Sequence, residues 1–149
     1  MTIWTPPAAN ADLSISGLRL WVHGLEFPDS DDYWDVNWLR VTAEYRAGES
    51  RVRAHGPFVH LGEVLALLEG CEALHRTLEG SAALSCIEPT LRVDLKGDGL
   101  GHVGCVVSLT PDHLTEEHCF RSEIDQTFLP DIVQACRRIL ERWPIRGSR

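Results

Sequence analysis

The sequence lacks a surplus of positive charge. Its 14 lysines and arginines face 22 aspartates and glutamates, leaving a net charge of −8. So biased a surface repels phosphate backbones, which argues against nucleic acid as a partner and favours a basic one. Long hydrophobic runs are also missing. No stretch approaches the ~18 apolar residues of a membrane span, so no membrane contact is expected. The five cysteines (Cys71, Cys86, Cys105, Cys119 and Cys136) form no CxxC pair, and an odd, dispersed set points to reduced, partly buried thiols. The opening segment, "MTIWTPPAANADL", has neither the basic start nor the apolar core of a secretion signal. Cytoplasmic localisation is the expectation.

Catalytic signatures are missing as well. There is no HExxH among the seven histidines, and no GxSxG nucleophile elbow. His113, His118 and Cys119 lie close together, but no second cluster completes a tetrahedral zinc site. "LKGDGLGHVGCVVSL" (95–109) is glycine-rich, yet a phosphate loop needs Lys-Ser/Thr after its glycines and then a helix. Here the alternation of Leu91, Val93 and Leu95 before, and Val103, Cys105 and Val107 after, makes a β-hairpin whose turn needs positive φ at Gly97, Gly99 or Gly101. These absences together predict a protein without a catalytic site, cofactor or metal.

What is present has the order of an α+β domain. One domain spans 1–149, with residues 1–11 a loosely ordered leader and 144–149 a tail. Leu13 and Ile15 alternate, then Leu18, Leu20 and Val22 alternate in the opposite phase, with Gly17 at the flip suggesting a bulge or bend. Trp34, Val36 and Trp38 alternate, and Leu39, Val41, Ala43 and Tyr45 follow as a half-buried strand. Val52 and Ala54 mark its neighbour. Leu61, Val64, Leu65, Leu68, Cys71, His75 and Leu78 then fall at helical spacing, with Gly80 as the stop. Four short strands follow, and a helix from about Phe128 to Arg142 closes the chain before Pro144. About seven strands should form a mostly antiparallel sheet, with the mid-chain and C-terminal helices packed on it.

The candidate surface is the acidic run "EFPDSDDYWD". Glu26, Asp29, Asp31, Asp32 and Asp35 stand there without an intervening base, beside Tyr33 and Trp34. It lacks the spacing and central glycine of a calcium loop. Acids ringing aromatic side chains suit capture of a basic protein surface, and Glu116 and Glu117 add to the same predicted contact set. Two other readings stand beside a protein-binding module. One is a small-molecule site or enzyme pocket between sheet and helices, near Trp21, His23 and His102. The other is a structural or regulatory protein that homodimerises through a sheet edge. The assembly is expected to be a monomer or a weak homodimer.

Four segments, read in order, resemble a known family: "YWDVNWLRVTAEY", the helix ending "TLEG", "IEPTLRVDLKGDGLGH", and "FRSEIDQTFLPDIVQACRRIL". From about residue 12 to 143 the chain resembles a group of small bacterial proteins that includes the WapI-type immunity proteins. The resemblance implies a cytoplasmic protein that binds and silences the C-terminal domain of a cognate secreted toxin, often a nuclease. No binding residue can be carried over by motif. Asp125-Gln126, in the last segment, reads structurally as a helix-start pair.

Overall fold

The computed structural model describes residues 10–147. Eight strands and three helices run in the order β1 (Leu13–Ile15), β2 (Leu18–Leu25), α1 (Tyr33–Val36), β3 (Trp38–Ala47), β4 (Ser50–His60), α2 (Leu61–Thr77), β5 (Glu79–Ser85), β6 (Leu91–Asp98), β7 (His102–Leu109), β8 (Cys119–Asp125) and α3 (Leu129–Arg142). The fold is α+β with all pairings antiparallel, as the alternation predicts. The strands divide into two sheets, β1-β2-β3-β4 and β5-β6-β7-β8, each a meander of sequence neighbours. Four strands and a long helix therefore occur twice along the chain.

Two details of the first sheet differ from the sequence pattern. The phase flip at Gly17 is a full turn with Ser16 at φ 54°, so the predicted first strand is two, and the count rises to eight. The alternation of Trp34, Val36 and Trp38 is not a strand. Asp32 caps a single helical turn there, its Oδ1 accepting the N–H groups of Trp34 (2.9 Å) and Asp35 (3.1 Å). A turn that short has no period for the eye to detect, and the cap decides it.

The core lies between the sheets and the helices. Leu20, Leu39, Val41 and Ala43 from the first sheet, and Val93, Leu95, Cys105 and Val107 from the second, are all at most 1% exposed. Tyr45 stacks on Phe120, centroids 4.2 Å apart, joining the sheets. The helices α2 and α3 pack on each other, and α2 also lies along β5. Gly70 sits at that closest approach: a Cβ there would lie 2.9 Å from that of Ala82. The α2–β5 contact thus explains a glycine that costs the helix about 1 kcal/mol in propensity.

Strand β4 runs straight into α2 through a capping box. His60 Nδ1 accepts the Gly62 N–H (3.1 Å), and Glu63 Oε1 accepts the His60 N–H (2.8 Å). At the other end Leu78, at φ 59°, and not the predicted Gly80, closes the helix by donating its N–H to Leu74 O. Gly80 instead lies in β5, paired with Gly97 of β6. The predicted hairpin is present. Gly99 and Gly101 hold φ of 82° and 100°, and Asp98 Oδ1 accepts the N–H groups of Leu100 and His102. Asp125 accepts the Thr127 N–H (2.9 Å) at the 3₁₀ turn that leads into α3. Of the predicted leader, residues 1–9 lie outside the described residues, as do 148 and 149 of the tail.

Candidate partner-binding surface

The acidic run leaves β2 and returns to β3 as a braced loop. Its base closes where the Glu26 N–H donates to Trp38 O (2.9 Å). Its crown is the Asp32 cap, with Ser30 Oγ accepting the Asp32 N–H (3.1 Å). Beneath it Asn37 is fully buried and uses its whole amide. Nδ2 donates to Tyr33 O (2.8 Å) and Arg146 O (2.9 Å), and Oδ1 accepts the Arg146 N–H (2.9 Å). The Asn37 backbone carbonyl accepts the Leu61 N–H at the start of α2. One residue thus ties the loop, α2 and the segment after α3, while Arg146 Nη1 reaches back to Pro28 O (2.8 Å).

An aromatic cluster supports the crown. Buried His60 lies against the rings of Trp34 (5.1 Å), Trp38 (5.0 Å) and Tyr33 (5.6 Å). Its Nε2–H donates to Trp34 O (3.2 Å), while Nδ1 is taken by the Gly62 N–H, so the ring is held as one neutral tautomer. Burial pushes its pKa below the ordinary value and outweighs the nearby Glu63 carboxylate and the carbonyls it faces. The loop therefore displays side chains from a rigid frame. Phe27 is 47% and Trp34 38% exposed; Asp29, Asp31, Asp32 and Asp35 are exposed around them. Glu26 and Tyr33 are half-buried, with Arg40 3.9 Å from the Glu26 carboxylate.

Glu116 and Glu117 lie elsewhere. Both are exposed in the turn between β7 and β8, and Glu117 shares a shallow groove with Ser50, Arg51 and Val52 at the start of β4. The acidic loop sits at the opposite end of the β3–β4 hairpin, where Trp38 pairs with His60. Ten residues of strand separate the two places, on the order of 30 Å. Trp21, His23 and His102 are not gathered either. The first two are on β2, and His102 is on β7 with its Nδ1 3.0 Å from Glu123.

Sequence reading missed a polar array on the core-distant face of the first sheet. Thr42 Oγ1 lies 2.7 Å from both His23 Nε2 and His55 Nδ1. Burial first, then the charges of His55 and Arg40, lower the His23 pKa. Glu44, 2% exposed, receives Arg46 (2.7 Å), Arg51 (3.3 Å) and Arg53 (2.7 Å). Burial works to raise its pKa, but hydrogen bonds from Arg53 and Arg46 outweigh it and hold the carboxyl below its ordinary value. The only signal for this array was register, since Trp21, Thr42 and His55 are cross-strand neighbours. Among the described residues, no three His, Cys, Asp or Glu side chains converge as metal ligands. No helix among them is long and apolar enough to cross a membrane.

The structure is thus an α+β frame that carries a braced loop of acidic and aromatic side chains. The chain belongs to the immunity protein WapI-like family, whose model matches residues 11–144. Comparison with curated proteins finds no match. Among solved structures, the chain is similar to the plant transcriptional regulator PBF-2 at 11% identity and a TM-score of 0.46, over 87% of this chain and 84% of that one.

Proposed function

We propose that this protein is a non-enzymatic immunity protein that binds the basic surface of a cognate toxin domain and silences it. The observation that carries this reading is the loop 26–35, whose aromatic side chains are set in a carboxylate rim and braced from beneath by Asn37 and His60. Rigid aromatic anchors lose little conformational entropy on contact, and surrounding charge sets partner choice and encounter rate. The contact residues are Glu26, Asp29, Asp31, Asp32, Tyr33, Trp34 and Asp35. Glu116 and Glu117, at the far end of the hairpin, add to the negative field that draws in a basic partner. Family membership supports a protein partner over a small-molecule substrate.

The test is co-expression with the C-terminal domain of any toxin found encoded beside this chain's gene. A complex should form whose association slows as salt shortens the screening length from ~10 Å at 0.1 M to ~3 Å at 1 M. Trp34→Ala should weaken it about tenfold or more, the loss of one aromatic anchor, without lowering the thermal unfolding temperature by more than a few degrees. Failure to bind the toxin domain, or binding indifferent to Trp34→Ala and to salt, would overturn the reading.

A further inference from the structure

Beside α3, the open edges of the two sheets face each other. Strand β1 ends the first sheet and β8 ends the second. They touch where Ser16 Oγ meets Ser122 Oγ at 2.7 Å, and beside that contact a cleft of about 510 Å³ opens between them, closed by the first turn of α3. Its floor is apolar, made by buried Ile15, Ile124 and Ile132, with the 55%-exposed ring of Phe128 at the lip. Its rim is acidic, made by exposed Glu123, Asp125 and Asp131. Among the described residues, no lysine or arginine lines it.

The β8 backbone along this cleft has bonding capacity to offer. Leu109 N–H donates to His118 O (3.1 Å), and Gln126 N–H donates to Gly101 O (2.8 Å). Those two bonds set the phase of the ladder: even-numbered residues of β8 turn their N–H and C=O groups toward β7. Arg121, Glu123 and Asp125 turn theirs the other way, where no strand pairs with them among the described residues. An open row of donors and acceptors is a template for one more strand.

We infer that this cleft receives an extended segment of a protein partner that carries lysine or arginine at alternate positions and adds to β8 as a fifth strand. Side chains of such a segment point alternately to opposite sides. One set meets the isoleucine floor, and the other meets the carboxylates of Glu123, Asp125 and Asp131. The charge of the rim selects this occupant over a second copy of the chain. Antiparallel self-pairing centred on the cleft would set Glu123 opposite Asp125 of the other copy, and like charges directly opposed are destabilising. This inference is independent of the loop at 26–35, which lies at the other end of the first sheet.

The probe is the capped hexapeptide of alternating valine and lysine, titrated into the ¹⁵N-labelled full chain. Binding should shift the amide resonances of Ser14 to Ser16 and Glu123 to Asp125 and slow hydrogen exchange at Glu123 and Asp125. Asp131→Lys, which leaves the sheet backbone untouched, should weaken binding about tenfold. Glu123→Lys serves the same purpose if that variant fails to fold. The same peptide N-methylated at alternate residues should not bind, because it cannot complete a ladder. Shifts confined to other surfaces, affinity unchanged in the charge-reversed variant, or equal binding of the N-methylated peptide would overturn the proposal. So would sedimentation showing that the chain alone dimerises through β8, since a second copy would then be the occupant.

Discussion

Replacing Asn37 with alanine removes three hydrogen bonds at a fully buried position, and the loss can be worked from their partners. Tyr33 O and both backbone groups of Arg146 lose their side-chain partner. Each net bond contributes about 1 kcal/mol, and the exposed Arg146 groups can recover part of it from water. About 2–3 kcal/mol of stability should disappear. With a urea dependence near 2 kcal/mol per molar, the unfolding midpoint should drop by roughly 1–1.5 M with an unchanged slope. Asn37→Asp is the sharper variant because its shape is the same. An oxygen now stands where Nδ2 met two carbonyl oxygens at 2.8 and 2.9 Å. At neutral pH it should be less stable than Asn37→Ala, as a buried carboxylate facing acceptors is worse than none. The folded state then favours the protonated carboxyl and raises its pKa. The variant's stability should be greatest below the ordinary carboxyl value of about 3.9 and fall as pH rises through the folded value. Urea titrations at pH 4 and 7 read both effects. A midpoint unchanged in Asn37→Ala, or a pH-independent Asn37→Asp, would refute the claim that this amide ties the loop to α2 and Arg146.

Two further predictions concern the frame. Gly97→Ala would press a Cβ onto Leu78 O, the carbonyl that accepts the Gly99 N–H, and place it 2.8 Å from Leu74 Cδ1; about 3 kcal/mol should be lost by thermal denaturation. Gly99→Ala, at φ 82°, should cost only about 1–2 kcal/mol, and the reverse order would show that the Leu78 contact is not the constraint. Glu44→Gln should cost about 1–2 kcal/mol at pH 7, because three arginines lose their counter-charge while remaining partly solvated. Since Glu44 is held below its ordinary value of 4.5, its contribution is full above that pH and fades as pH falls below it. The difference between wild type and Glu44→Gln should therefore shrink in denaturant titrations run from pH 7 down to pH 4 and lower; a constant gap would contradict the ion cluster.

Much of the architecture was legible because its signals are local. The apolar stripes of α2 and α3 and the hairpin at Gly97–Gly101 each express themselves within a few residues. Where local signals compete, the reading slips. The alternating Trp34, Val36 and Trp38 look like a strand, yet the Asp32 carboxylate sits close enough to two N–H groups to start a helical turn instead. The acidic loop could be seen as a charge run, but its bracing could not. Asn37 and Arg146 are 109 residues apart, and nothing near either names the other. The histidines show the same limit, since Thr42 and His55 meet only through the register of β3 and β4.

Composition and periodicity by themselves determined the α+β class, the antiparallel pairing, the two long helices and the acidic character of the surface. Each follows from side-chain chemistry or from a repeat of two or 3.6 residues. Tertiary structure alone decided that the strands form two sheets, that Glu116 and Glu117 stand about 30 Å from the acidic loop, and that β1 and β8 frame a cleft. Those outcomes depend on contacts between distant segments, whose free energy is shared over the whole core and written at no single position.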